Sequence, residues 1–395
     1  MTKKPLSHPP AIIALGTANP EYQQSQAQTV ELITQSFHLK PIERKLLKSI
    51  YRASGIEQRF SVLSDYCKSH GEFEFFPNDK NAPFPSTAAR MKIYKDNALN
   101  LALSAIQNCL QQLDDFDHAS ITHVITVSCT GMYAPGIDIE IVQRLNLNSS
   151  TSRTAINFMG CYGAFNAIKV ANAICQSDST ATVLIVCVEI CTIHFQQNMH
   201  LDNIISNSIF ADGAGAMLVQ STTDHKKYFT LENFYNDLLP QSSQEMAWNI
   251  GDNGFDIVLS TYVPDMIKNG IATFFNHLAS QYHFTLSEMD YFAIHPGGLK
   301  ILEACETALN ISKEDNRYSY QVLRHFGNMS SVTIIFVLKA IWDDIHTKDH
   351  HKNIFSCAFG PGLTLESMIL KTHCEKTSSR DISVMPAELR RLNMR

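Results

Sequence analysis

Short runs rich in β-branched and aliphatic residues alternate along the chain with longer segments whose apolar positions recur every three or four residues. The short runs predict strands over Ala11–Leu15, Ile121–Ser128, Thr182–Val188, Ala214–Val219, Tyr291–Ile294 and Asn353–Ala358. The longer segments predict helices over Tyr94–Gln111, Ile137–Arg144, Ala164–Gln176 and Ser331–Asp344. Strands and helices taking turns in this way argue for an α/β fold with a layered sheet core. The two halves share a plan: a strand leads into a turn and helix at Phe158–Ala164 in the first, and polar groups stand at loop–helix junctions after Ile294 and after Phe326 in the second. The polar stretch Ser221–Lys227 lies between them. A boundary is therefore expected near residue 225, giving halves 1–225 and 226–395. The charged, Ser-rich segment Lys371–Arg395 is expected to be loosely held.

Composition narrows the classes. The chain has 395 residues, 45% of them hydrophobic, enough for a large core. Charged residues are 18% and the net charge is −6, with no long like-charge run, so nucleic acid is not an expected partner. The first residues carry two lysines but no apolar signal core, and no apolar stretch reaches the roughly 18 residues of a bilayer span. The expectation is a soluble, cytoplasmic protein without a membrane partner. Ten cysteines are scattered, several in apolar runs, and read as small buried hydrophobes rather than a disulfide framework. Cys187 and Cys191 come closest to ligand spacing but have no second pair, so no structural zinc site and no cofactor is expected.

Three residues carry candidate chemistry. Cys161 follows Gly160, with Gly163 just after it, and small residues then open a helix. Glycines permit a tight turn, and a helix N-terminus favours the thiolate, the nucleophilic form. The bland reading is one more buried thiol. His295 stands in Ala-Ile-His-Pro-Gly-Gly, where an apolar run ends in a loop. Its bland reading is a satisfied core imidazole. Asn328 stands in Phe-Gly-Asn-Met-Ser-Ser before a predicted helix, and alone reads as an N-cap. Cys, His and Asn together form a known nucleophilic set, but spacing along the chain does not show that they meet.

Five segments taken in order supply a resemblance: Ile13-Ala-Leu-Gly-Thr-Ala-Asn-Pro20, Met159-Gly-Cys-Tyr-Gly-Ala164, Ile294-His-Pro-Gly-Gly298, Gly327-Asn-Met-Ser-Ser331, and Phe359-Gly-Pro-Gly-Leu363 with Glu366 after it. Over about residues 10–370 the chain resembles the chalcone synthase-like, type III polyketide synthase family, in a bacterial-type form. The resemblance implies a thiolase fold, two similar αβαβα halves with a five-layered core, and a homodimer. It implies that Cys161 carries the acyl chain as a thiolate paired with His295, and that His295 and Asn328 stabilise the enolate of a decarboxylating malonyl thioester. Coenzyme A thioesters, malonyl-CoA and an acyl-CoA starter, are the implied partners; no metal or organic cofactor is implied.

The same resemblance marks further positions. Phe210 matches a gatekeeping phenylalanine, and Ile257 replaces the second gatekeeping aromatic of plant members. Lys45, Lys48 and Arg52 repeat, at helical spacing, the basic residues that grip coenzyme A phosphates, although the segment after Arg52 is one residue longer here. Cys129, Cys191 and His194 stand where threonines are usual, Trp248 stands where glycine is common, and Ser330 keeps the family serine. Larger groups at 194 and 248 are expected to shrink or redirect the pocket. Plain core packing is the rival reading for Phe210, and a solvated helix face for the basic trio. Three other classes stay in view: a ketoacyl synthase III-like enzyme fed by acyl carrier protein, a cysteine hydrolase, and a non-catalytic thiolase-fold binding protein. The Gly-Thr-Ala-Asn-Pro and Phe-Gly-Pro-Gly-Leu segments disfavour the first. The absence of a papain-like cysteine setting disfavours the second, and the presence of all three site residues disfavours the third.

Overall fold

The computed structural model describes residues 9–36, 39–79, 81–197, 200–221, 225–239, 245–260 and 262–375. The strands are β1 (Ala11–Ala18), β2 (Tyr22–Ser25), β3 (Gln58–Ser61), β4 (His123–Ser128), β5 (Ser152–Asn157), β6 (Val183–Ile190), β7 (Asp212–Gln220), β8 (Lys227–Leu238), β9 (Met246–Gly251), β10 (Gly254–Leu259), β11 (Tyr291–Ile294), β12 (Asn353–Gly360) and β13 (Thr364–Cys374). The helices are α1 (Gln26–Ser36), α2 (Pro41–Ala53), α3 (Thr87–Leu110), α4 (Ile137–Arg144), α5 (Gly163–Ser177), α6 (Leu201–Ile209), α7 (Val263–Tyr282), α8 (Leu299–Leu309), α9 (Arg317–Phe326) and α10 (Thr333–Asp344).

Nine strands form one mixed sheet in the order β11-β12-β13-β8-β1-β7-β6-β4-β5. A pattern repeats in it. β4 lies parallel to β6, and β7 and β1 follow antiparallel; likewise β11 lies parallel to β12, and β13 and β8 follow antiparallel. The two sets join where β1 pairs with β8 at Ala11–Thr230 and Ile12–Phe229.

Side-chain alternation along the strands builds the layers. In β6, Leu184, Val186, Val188 and Ile190 face a core shared with Ala98, Leu101 and Ala105 of α3. Val183, Ile185 and Cys187 face the opposite core, shared with Phe165 and Ile168 of α5 and Ile335 of α10. β12 splits the same way: Ile354 and Ala358 face α10, while Phe355, Cys357 and Phe359 face α7 and α8. Helices α5 and α10 are thus sandwiched between the two sheet halves, with further helices on each outside face. This is a mixed α/β, thiolase-type arrangement. Gly215 permits close contact with this layer, because a Cβ there would stand 2.9 Å from Ile335 of α10.

Two sequence expectations are corrected. The loosely held tail was placed from Lys371, yet β13 runs through Cys374, paired residue by residue with β8, with Thr372 and Cys374 buried. Backbone pairing and burial of the alternate side chains outweigh the polar composition there. Residues 376–395 lie outside the described residues. The helix expected from Ser331 begins at Thr333, preceded by a 3₁₀ turn over Ser330–Val332. Of the Ser221–Lys227 segment, residues 222–224 lie outside the described residues.

Candidate active site

The nucleophile turn is built from backbone conformations that few side chains accept. After β5, Phe158 has φ 60° and Gly160 has φ 77°, both left-handed. A Cβ on Gly160 would also lie 2.4 Å from Pro361 Cδ, so the Phe-Gly-Pro-Gly-Leu loop presses against this turn. Cys161 sits in the 3₁₀ turn Gly160–Tyr162, immediately before α5. All ten cysteines are free thiols; eight are buried, Cys67 is exposed, and Cys161 is partly open.

His295 follows the last residue of β11. Its backbone N–H donates to the Cys357 carbonyl at 2.8 Å, which extends the β11–β12 pairing by one step. Its ring is 1% exposed, and neither ring nitrogen has a hydrogen-bond partner. A buried imidazole with both nitrogens unpaired is costly, and this one lines a cavity where a substrate oxygen can reach it.

Asn328 is pinned to the first half of the chain. Its N–H donates to the Ile209 carbonyl at 2.8 Å, and its carbonyl accepts from the Ala211 N–H at 2.9 Å. Its side-chain amide has one orientation that satisfies its neighbours. Oδ1 accepts from the Ser330 N–H at 2.8 Å and the Thr333 hydroxyl at 3.3 Å, while Nδ2 donates to the Gly297 carbonyl at 3.2 Å. The Cys161 Sγ lies 4.0 Å from Asn328 Oδ1.

Cys161, His295 and Asn328 all line one cavity of about 310 Å³. Phe210 and Ile257 line it too, as do aliphatic groups of α2, α6, β10, α7 and α8, among them Ile50, Ile205, Leu259, Val263 and Leu299. The remaining pocket candidates do not line it. Cys129, Cys191, His194, Trp248 and Ser330 are packed behind the nucleophile. Cys129 Sγ accepts the Gly160 N–H at 3.0 Å. His194 Nδ1 accepts the Phe255 N–H at 3.0 Å, so Nε2 carries the proton that meets the Thr130 carbonyl at 2.6 Å. The ring stacks on Phe255 at 4.2 Å, and Trp248 stands edge-on to both, its Nε1–H donating to the Cys129 carbonyl at 2.8 Å. Trp248 also meets the cavity-lining Phe210, with ring centroids 6.2 Å apart.

Burial sets the electrostatics. It pushes the Cys161 thiol up to about 12, and the nearby Glu189 carboxylate adds to this, while hydrogen bonding with Ser330 and Asn328 opposes it. Burial likewise holds the His295 imidazole down to about 3. Taken singly, both groups are kept neutral, the reverse of the thiolate–imidazolium pair that the resemblance implies. A charged pair forms only by moving the thiol proton to the imidazole, where mutual attraction offsets two desolvation costs. Glu189 was missed from sequence, although it is the single acid in the apolar run of β6. It is fully buried, its carboxyl raised by that burial. It accepts from the Cys129 N–H at 2.9 Å, from the Thr130 hydroxyl at 2.8 Å, and from the Ser331 hydroxyl of the other half.

The basic trio is exposed on α2. At about 100° per residue, Lys45, Lys48 and Arg52 fall on a different face of α2 from Ile50 and Ala53, which line the cavity together with Ser54 just after the helix. Among the described residues, the one lysine that does line the cavity is Lys300, which carried no signal of its own in sequence beyond its place after the His-Pro-Gly-Gly loop. Among the described residues, no helix is long and apolar enough to cross a membrane.

Comparison with known proteins agrees with this geometry. Residues 3–223 match the family model for the N-terminal domain of chalcone and stilbene synthases, and residues 230–374 match the model for their C-terminal domain. The chain is 29% identical over 370 residues to the alpha-pyrone synthesis polyketide synthase-like Pks18 of Mycobacterium tuberculosis, covering 91% of this chain and 92% of that one. It is 26% identical over 371 residues to a putative chalcone synthase of Bacillus subtilis, covering 91% and 97%. Among solved structures, PKS-I of the brown alga Ectocarpus siliculosus superposes with a TM-score of 0.85 at 25% identity, covering 94% of this chain and 100% of that one. The C-terminal type III polyketide synthase domain of Steely1 from Dictyostelium superposes with a TM-score of 0.84 at 26% identity, covering 92% and 99%. The chain belongs to the chalcone and stilbene synthase family of type III polyketide synthases, acyl-transferring enzymes that condense coenzyme A thioesters with loss of carbon dioxide.

Proposed function

We propose that Cys161 takes the acyl group of a coenzyme A starter and that the chain is extended there with malonyl-CoA. The observation that carries this reading is the convergence of three groups on one cavity: a thiol at a strained turn, a carboxamide fixed by three hydrogen bonds, and an imidazole with both nitrogens unpaired. In the first step Sγ attacks the thioester carbonyl, its proton passes to His295, and free coenzyme A leaves carrying that proton. Malonyl-CoA then binds with its thioester oxygen against His295 and the Asn328 Nδ2–H. As carbon dioxide leaves, those donors hold the enolate oxygen. The enolate carbon attacks the acyl-cysteine carbonyl, releasing the Cys161 sulfur and lengthening the chain by two carbons. The chain returns to Cys161, and the cycle ends when the chain cyclises to a pyrone, resorcinol or naphthol-type product.

Supporting roles follow. Phe210 and Ile257 form the gate between the reacting sulfur and the cavity mouth. Lys45, Lys48 and Arg52 hold the coenzyme A phosphates outside it, with Lys300 beside the entrance. The halves divide at about residue 225, two chains pair as a homodimer, and the enzyme works in the cytoplasm.

Purified protein given malonyl-CoA and a panel of acyl-CoA starters, without carrier protein, tests the reading. Release of carbon dioxide and cyclised products by mass are expected. Activity only with acyl carrier protein substrates would favour the ketoacyl synthase III-like alternative and overturn it.

A further inference from the structure

At the far end of β12 from the nucleophile, three histidines come together: His350 and His351 from the turn before β12, and His373 from the last residues of β13. One ligand nitrogen from each lies within 4.8 Å of the others. We propose that His350, His351 and His373 bind one divalent first-row transition ion, with zinc the best match to three imidazoles and water.

Imidazole suits zinc, copper and nickel, whereas hard cations such as magnesium and calcium take oxygen ligands. Three nitrogens at zinc bond lengths stand about 3.4 Å apart, so closing the site needs side-chain movements of about 1 Å. The frame for this is firm. His351 has φ 62°, and its N–H donates to the Thr372 carbonyl at 2.7 Å, locking the turn to β13. The His373 ring lies flat on Tyr228 at 4.4 Å with a 7° tilt.

A second observation points to a ligand. Thr230 donates its hydroxyl proton to Glu232 Oε1 at 2.6 Å, and the same oxygen lies 3.3 Å from His373 Nε2. With its proton committed to Glu232, Thr230 accepts from His373, so Nε2 carries hydrogen and Nδ1 keeps its lone pair. An acceptor for the far ring N–H is the support that metal-ligating histidines commonly have; here it is the Thr230 hydroxyl oxygen, itself polarised by the Glu232 carboxylate. His350 is less free, because its Nδ1 accepts the Cys374 N–H at 3.1 Å. It joins only by giving up that bond, either to ligate through Nδ1 or to move its hydrogen to Nδ1 and ligate through Nε2. His351 and His373 are therefore the principal ligands. The eight-residue β12 separates the cluster from the Gly360 end that packs on Tyr162. That is roughly 23 Å at the strand rise per residue, so the ion ties the turn to the sheet and takes no part in the condensation.

The test uses the full chain, stripped with a chelator and titrated with zinc by calorimetry, with cobalt as the spectroscopic probe. The expected result is one ion per chain, a rise in melting temperature, and a cobalt spectrum of low coordination number. The double variant His351→Ala/His373→Ala should lose stoichiometric binding and the melting shift, and His350→Ala should lose less. Thr230→Val, which removes only the support, should weaken affinity roughly 10- to 100-fold. Carbon dioxide release from malonyl-CoA should be the same with and without zinc. Absence of stoichiometric binding at millimolar zinc, or binding unchanged in the double variant, which would place the ion among the other histidines of the 16 in the chain, overturns the proposal.

Discussion

Replacing Asn328 separates its two jobs. The Asn328 Nδ2–H is the donor assigned to the enolate oxygen, and Oδ1 is the acceptor for the Ser330 N–H and the Thr333 hydroxyl. Asn328→Ala removes all of these. Losing one oxyanion donor should slow malonyl-CoA decarboxylation by roughly 10²- to 10³-fold, about 2.7–4 kcal/mol. It also leaves the buried Ser330 N–H unsatisfied, which should cost about 1–3 kcal/mol of stability. Asn328→Asp keeps an oxygen for both structural partners but places a carboxylate where negative charge develops. Its fold should hold while its rate falls at least as far. Carbon dioxide release gives the rate, and denaturant unfolding of both variants gives the stability. Wild-type decarboxylation in Asn328→Asp, with the fold intact, would show that the carboxamide does not hold the enolate.

Other outcomes follow from neighbouring contacts. Gly160→Ala forces a Cβ into Pro361 at a left-handed φ, so starter loading on Cys161 should fall at least tenfold, and a normal loading rate would refute the strained-turn account. Trp248→Ala should empty the space behind Cys161 and shift products upward by acetate units in mass; an unchanged product profile would show that this space does not limit extension. His194 and His295 are both held by burial at about 3, against 6.5 when exposed. Below pH 6.5 the unfolded chain binds protons that the folded chain refuses, so stability is highest above that pH and is lost progressively as pH falls towards 3. At pH 5 the loss is about 2 kcal/mol per histidine, read from unfolding curves, and His194→Gln should flatten the dependence.

The sheet core was legible where both faces of a strand are apolar. The runs at Thr182–Val188 and Ala214–Val219 overlap β6 and β7, whose two faces are each buried against helices. Strands with a wet or polar stretch gave no such run, whereas the edge strand β11, whose Phe292–Ile294 are buried, did. β5 reads Ser-Arg-Thr-Ala-Ile-Asn and is largely exposed, and β8 becomes polar towards its end. The tail of β13 was misread for the same reason: its polar residues are held by pairing rather than by hydrophobicity. The Gly-flanked Cys161, the loop histidine and the loop asparagine were visible as three separate motifs. Their meeting depends on contacts such as Phe210 with Asn328, residues 118 positions apart, which no local pattern records. The seating of His194 and Trp248 beside Cys129 was also beyond sequence, since it rests on hydrogen bonds to the Thr130 carbonyl, the Phe255 N–H and the Cys129 carbonyl.

The most direct test of the account is the site of covalent loading. After incubation with an acyl-CoA starter, peptide mass mapping should place the acyl group on Cys161, and Cys161→Ala should carry none and form no product. An adduct on another of the ten cysteines, with Cys161→Ala still turning over, would contradict it.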